Sequence, residues 1–140
     1  MKTVVDACIA AGLYVIIDWH SHSAEKHQAG AVAFFKEMAT TYGSKPNVIY
    51  EIYNEPLQVL WSGVIKPYAQ AVTSAIRAKD PVAGTNMAYT LHFYAASHKA
   101  ALRAKASAAL RKGVALFLTD TAPVLPPTEV AWTRQLRRSG

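Results

Sequence analysis

The sequence predicts an α/β fold of about four parallel strands with flanking helices, and three observations carry that prediction. Helical and strand-like patterns alternate as α-β-α-β-α-β-α-β along the 140 residues. The strand segments are short, β-branched apolar runs of the kind that parallel sheets bury on both faces. Each run ends in polar or titratable side chains. An alternation of this kind is joined by right-handed crossovers, and four strands make either an open sheet or part of a barrel. A closed eight-stranded barrel needs about 250 residues.

Each element follows from local chemistry. Thr3 to Ala11 reads as a helix closed by Gly12, and Leu13-Tyr14-Val15-Ile16-Ile17-Asp18 as a buried strand followed by a polar loop through Gln28. From Ala31 to Tyr42 the residues Val32, Phe35, Met38, Ala39 and Tyr42 recur at helical spacing, and Gly43 is expected to stop that helix. Asn47 to Tyr53 is the second strand. Ser62 is placed to cap a helix running to about Lys79, with Pro67 as a kink or a late start. After the loop Asp80 to Thr85 comes a third strand, Met87 to Tyr94, then an Ala-rich basic helix from a Ser97 cap to Lys112, ended by Gly113. Val114 to Thr119 is the fourth strand. Beyond it, Pro123, Pro126 and Pro127 mark a turn-rich tail in which only Glu129 to Arg137 suits a short helix. There is no internal repeat and no flexible linker.

The composition, 51% hydrophobic, is that of one soluble globular domain. No run reaches the roughly 18 apolar residues of a membrane span. The start, Met1-Lys2-Thr3-Val4-Val5-Asp6, lacks the three-part layout of a secretory signal, so the protein stays inside the cell or its leader is missing from this chain. Cys8 is alone and reads as a small core residue of the first helix, which argues against redox chemistry. The net charge of +6 is concentrated in Lys99, Arg103, Lys105, Arg111 and Lys112 and in Arg134, Arg137 and Arg138. Aromatic residues are not interleaved with these charges, so a solvated helix face and a basic tail are expected rather than a nucleic-acid surface.

Chemistry gathers at the strand ends. The first strand ends Asp18-Trp19-His20-Ser21-His22, the second Asn54-Glu55-Pro56, the third His92-Phe93-Tyr94 and the fourth Thr119-Asp120. The C-terminal ends of parallel strands share one rim, where ligands bind in such sheets. Glu55 is placed at that rim, where a partly buried carboxyl suits a general acid. Paired carboxylates serve glycoside hydrolysis: one protonates the leaving oxygen while the other attacks or stabilises the sugar cation. Trp19 and Tyr94 offer faces for pyranose rings, and His and Asn side chains can bond sugar hydroxyls.

Other chemistries fit less well. His20 and His22, two residues apart, lie on one face of an extended segment, with His92 as a third imidazole. Zinc needs three or four ligands of defined geometry, and neither a metalloprotease-spaced Glu nor a Cys pair is present, so no metal is expected. His27 and His98 read as surface or capping residues. No Gly-x-Ser-x-Gly elbow and no Gly-rich phosphate loop occurs.

Three segments, Val15 to His22, Val48 to Pro56 and Tyr89 to Ala95, together resemble glycoside hydrolase family 5 cellulases in order and in much of their spacing. They match strands three, four and six of that family's (β/α)8 TIM barrel, so the resemblance implies a partial barrel over residues 1–119. It also implies that Glu55 is the general acid/base and Asn54 its sugar-contacting neighbour. His20 takes the place of the histidine after strand three, while His92 and Tyr94 match the pair supporting nucleophile and substrate. Trp19 and His22 complete the expected substrate contacts. The implied activity is retaining hydrolysis of β-1,4-glucans without metal or organic cofactor, on a β-glucan polysaccharide or oligosaccharide. The family often acts outside the cell.

The departures shape the remaining expectations. Strands one, two and five are absent, the active-site arginine with them, and no eighth strand is recognisable; Trp132 has no secure counterpart. After strand seven the family has Thr-Glu followed by an aromatic residue and Gly, the Glu being the nucleophile; this chain reads Thr119-Asp120-Thr121-Ala122. Codons for Thr-Glu-Tyr-Gly, after loss of one base in the Glu codon, can read Thr-Asp-Thr-Ala; on that hypothesis the Pro- and Arg-rich residues 120–140 are out-of-frame sequence. Asp120 is the only carboxylate able to stand in. Its oxygen falls about 1 Å or more short, and misplacement of that size costs about 100-fold in rate. Weak endoglucanase activity is therefore expected, the alternative being a catalytically impaired relic or a non-catalytic β-glucan-binding module. Open sheet edges and an exposed apolar face further predict a homodimer, with neither nucleic acid nor membrane as a partner.

Overall fold

The computed structural model describes residues 1–81, 87–94 and 98–121, leaving aside the side chains of 120 and 121. The predicted helices and strands are present as α1 (Lys2–Ala10), β1 (Val15–Asp18), α2 (Gln28–Tyr42), β2 (Val48–Glu51), α3 (Lys66–Arg77), β3 (Tyr89–Phe93), α4 (Ala100–Arg111) and β4 (Leu116–Thr121). The described strands form two two-stranded parallel sheets, β1–β2 and β3–β4. The architecture is a partial α/β fragment of parallel strands and helices, with no closed barrel among the described residues. By internal packing the chain divides into two compact units, Met1–Asn86 and Met87–Gly140.

In the first unit β1 and β2 run in register, Val15 opposite Val48 through Asp18 opposite Glu51. The ladder is extended at both ends, by Val15 N–H donating to the Asn47 carbonyl at 2.9 Å and Trp19 N–H to the Glu51 carbonyl at 2.9 Å. Helix α2 buries Ala31, Phe35, Met38, Ala39 and Tyr42, and α3 buries Tyr68, Val72 and Ile76, each set following helical spacing. These residues form one core with Val5 of α1, Ile17 of β1 and Ala24. Full burial of side chains such as Phe35 and Val72 contributes about 1.5–3 kcal/mol each. The strands are not buried on both faces as expected: Ile17 is 2% exposed and its neighbour Ile16 38%. Alternate residues of a strand point to opposite faces, and the helical core covers one of them.

Two helix ends differ from expectation. A π-helical turn, Trp61–Ile65, precedes α3, and Pro67 lies at the helix start; Ser62 falls inside that turn and caps nothing. Pro67, which has no N–H, falls where the π-turn passes into α3, directly after Lys66 N–H has bonded the Trp61 carbonyl. Gly43 does end α2, yet with ordinary helical φ of −60°. A Cβ there would lie 2.6 Å from the Ala39 carbonyl oxygen and 2.9 Å from Asp80 Cβ, so it is the absence of a side chain that matters.

Gly12 and Gly113 behave as predicted, with φ of +69° and +76°. Leu13 N–H reaches the Cys8 carbonyl and Gly12 N–H that of Ile9; Val114 and Gly113 repeat the pattern on Ala109 and Leu110. Both are Schellman closures, which need a left-handed residue that glycine supplies without steric penalty.

In the second unit, Tyr89, Thr90 and Leu91 pair with Leu116, Phe117 and Leu118; an irregularity follows, and Phe93 then pairs with Thr121. Phe93 and Ala106 are its buried hydrophobic residues among those described. Of the basic residues on α4 and its ends, Lys99, Lys105, Arg111 and Lys112 are exposed and Arg103 half-buried. Ser97 and the segment Glu129 to Arg137 lie outside the described residues. Among those described, no helix is long and apolar enough to cross a membrane.

Candidate active site

The parallel pairing of β1 and β2 carries the residues after both strands out at the same end of the sheet. Asp18 closes β1 half-buried, and its Oδ2 accepts a hydrogen bond from His20 Nδ1 at 2.6 Å. The His20 side chain is 77% exposed, so this carboxylate orients a ring otherwise open to solvent. Trp19 is half-buried, tilted against Phe34 with ring centroids 5.4 Å apart.

After β2 the chain turns sharply at Glu55. Asn54 is 4% exposed, a buried polar residue at the strand exit. Glu55 has φ of 44° and an exposed side chain. That is more open than the partly buried acid expected at a barrel rim. Two links join this turn to the loop after β1. His22 Nδ1–H donates to the Glu55 backbone carbonyl at 3.1 Å, and Leu57 N–H donates to the His22 carbonyl at 3.4 Å. The His22 Nδ1 atom also lies 3.9 Å from Glu55 Oε2.

Tyr53, immediately before Asn54, has a structural role that the sequence pattern does not reveal. Its hydroxyl donates to the Glu25 carboxylate and reaches the His22 carbonyl at 3.4 Å. Its ring meets Tyr68 edge-on at 5.2 Å, and the Tyr68 hydroxyl donates to the Ile52 carbonyl at 2.7 Å. Burial, and then the Glu25 carboxylate, push the Tyr53 phenol up to about 12. The same hydrogen bond holds Glu25 below the usual carboxylate range. The only advance signal was an aromatic residue at the end of an apolar run, which many strands share.

In the second unit His92 and Tyr94, both half-buried, lie at the end of β3. Tyr94 N–H donates to His98 Nδ1 at 3.1 Å, and His98 N–H to the Tyr94 carbonyl at 2.7 Å. His98 therefore fastens the chain after β3, a stronger part than a surface histidine would play. Asp120 belongs to β4 by its backbone; its side chain lies outside the described residues. The structure thus brings His20 to Asp18 and His22 to Glu55, with Asn54 buried beside the latter. The Nδ1 atoms of His20 and His22 address different partners, and among the described residues no three His, Cys, Asp or Glu side chains gather as a metal-binding group.

Comparison with known proteins gives a consistent picture. Residues 1–83 match the family model described as cellulase (glycosyl hydrolase family 5). The chain is 54% identical to Endoglucanase Z of Dickeya dadantii (strain 3937) over 142 residues, covering 86% of this chain and 33% of that protein. A solved structure from Cytophaga hutchinsonii superposes with a TM-score of 0.83 at 41% identity, covering 97% of this chain and 54% of the other. The catalytic domain of Thermobifida fusca endoglucanase Cel5A, solved in complex with cellotetraose, superposes with a TM-score of 0.78 at 29% identity, covering 99% and 57%. The chain spans about a third of the length of the curated relatives it matches.

Proposed function

The chain belongs to glycosyl hydrolase family 5, the cellulases, and on that premise we propose that it is an endoglucanase-type glycoside hydrolase cutting β-1,4-glucosidic bonds in β-glucan. Glu55 is the acid/base: it protonates the departing glycosidic oxygen as the anomeric bond breaks, then takes a proton from the water that attacks the same carbon. Asp120 takes the nucleophile's place, forming and later losing a bond to the anomeric carbon. Asn54, Trp19, His20, His22, His92 and Tyr94 contact the sugar. Residues 1–119 are the partial barrel and 120–140 are Pro- and Arg-rich sequence out of the original reading frame, although β4 continues through Thr121. An intact source locus lacking a Glu-aromatic-Gly continuation in another frame contradicts that origin.

The observation that carries this reading is the turn at Asn54-Glu55, held at the exit of β2 beside the loop that follows the parallel strand β1. The decisive experiment is release of reducing sugar from carboxymethylcellulose by the purified chain beside Glu55→Gln and Asp120→Asn. Weak hydrolysis is expected, with either substitution removing most of it. Hydrolysis that survives Glu55→Gln overturns the assignment. A second reading, a catalytically impaired relic or β-glucan-binding module, is favoured by the Asp at position 120; it predicts binding to amorphous cellulose without product.

The functional form is a homodimer. Exposed Leu13, Tyr14 and Ile16 on and before β1, with Leu57, Leu60 and Trp61 beyond β2, support it, since apolar surface of this kind seeks a partner. Light scattering after size exclusion tests the state, and a well-folded monomer at micromolar concentration contradicts it.

A further inference from the structure

We infer that His22 is a positioning residue for Glu55, holding the acid's backbone in its left-handed turn through the hydrogen bond from Nδ1 to the Glu55 carbonyl. The inference rests on the reading of Glu55 as the acid/base. Glu55 is the one non-glycine residue with positive φ among those described. It also precedes Pro56, whose ring confines the preceding residue to extended conformations. Such strain persists only where the surroundings over-determine it, and it concentrates at functional sites.

His22 holds this turn at two points. Its ring bonds the Glu55 carbonyl at 3.1 Å, and its own carbonyl accepts from Leu57 N–H at 3.4 Å. The segment is thus fastened at Glu55 and just beyond it by a residue 33 positions before Glu55. At 3.9 Å, the Glu55 carboxyl oxygen lies beyond hydrogen-bond reach of the same Nδ1 atom. The ring therefore bonds the main chain of Glu55 rather than its carboxyl. A carbonyl oxygen only accepts, so the His22 proton resides on Nδ1.

Long-range ¹H–¹⁵N spectra of the full-length protein read that tautomer, and intraresidue couplings and NOEs of Glu55 read its φ. The wild type is expected to show Nδ1–H and a left-handed Glu55. His22→Phe keeps a ring and removes the donor: Glu55 should leave the left-handed region, and kcat on a soluble cello-oligosaccharide should fall about 10- to 100-fold with KM within about twofold. His22→Asn, which places an amide donor near Nδ1, should restore both. A wild-type Nε2–H tautomer overturns the inference, as does a His22→Phe protein with unchanged Glu55 geometry and kcat. A loss carried by KM, equal in the Phe and Asn variants, leaves His22 with sugar contact alone and overturns the positioning role. Absence of turnover in the wild type selects the catalytically impaired reading, and the spectra then decide the clamp alone. Should His22→Phe fail to fold, the wild-type tautomer decides.

Discussion

The first unit is a packed sandwich of sheet and helices with a shared core running from Val5 to Ile76. The second repeats the β-α-β plan, with Phe93 and Ala106 as its buried apolar residues among those described. The turn at Asn54-Glu55 rests on the first and the strand bearing Asp120 belongs to the second. Identical local grammar therefore supports unequal platforms. Strand and helix formation alone do not make a rigid site; the depth of apolar burial beneath them does.

The widest separation between the units should come from emptying each core. Phe35→Ala removes a ring with no exposed surface and is expected to cost about 3–5 kcal/mol, lowering the urea midpoint sharply and erasing amide protection throughout residues 1–81. Phe93→Ala should erase protection in β3, α4 and β4 while β1 and β2 stay protected. Hydrogen exchange of both variants decides the matter; equal losses in both units would dissolve the distinction.

Removing one hydroxyl from the first unit should have a smaller effect. Tyr53→Phe deletes the bond to Glu25 and is expected to lower the urea midpoint at neutral pH by clearly less than Phe35→Ala does. Its pH signature is more specific. The folded-state pKa of Tyr53 is raised from 10.0 to about 12, so the neutral phenol favours the fold. That stabilisation is fully present below pH 10 and is lost as pH rises through 12. Tyr50, raised to about 12 by burial and then by Asp80, adds to the same alkaline loss. Denaturation midpoints between these pH values should fall less steeply in Tyr53→Phe than in the wild type. Glu25 acts at the other end: its pKa is lowered from 4.5, so its contribution is present above that value and lost as pH falls.

The smallest effect belongs to the surface. Lys2 Nζ lies 2.7 Å from Glu37 Oε1, with both side chains about half exposed. Lys2→Met should change stability by no more than about 0.5 kcal/mol in chemical denaturation, because solvent screens such pairs. A larger loss would mean that α1 is tethered to α2 by this pair as well as by Tyr42, whose hydroxyl donates to Asp6 at 3.0 Å.

Much of this was legible in the sequence. The periodicity of Phe35, Met38, Ala39 and Tyr42 marked a buried helix face, and the β-branched runs marked the strands, because burial selects those residues at those intervals. Strand boundaries were drawn two residues too wide at Leu13, Tyr53 and Met87, since apolar residues continue past the point where ladder pairing stops. The titratable residues at the strand ends were visible; their partnerships were not. Nothing local to His22 announces a carbonyl 33 positions later, and nothing in Tyr53 announces Glu25. Such links depend on how two loops settle once the parallel strands have paired, which is a non-local property. Gly43 shows the same limit: its identity marked a helix end, while the reason for it is a neighbour from after α3.

The paired Schellman closures have a practical consequence. Gly12 precedes Val15 and Gly113 precedes Leu116 by the same interval, with matching hydrogen bonds behind each. The chain thus uses a single hinge part twice, and a part used twice is interchangeable. Grafting Lys112-Gly113-Val114-Ala115 in place of Ala11-Gly12-Leu13-Tyr14 would exchange two exposed apolar side chains for smaller ones without altering the joint. For anyone re-engineering this chain, that joint is a ready-made splice point.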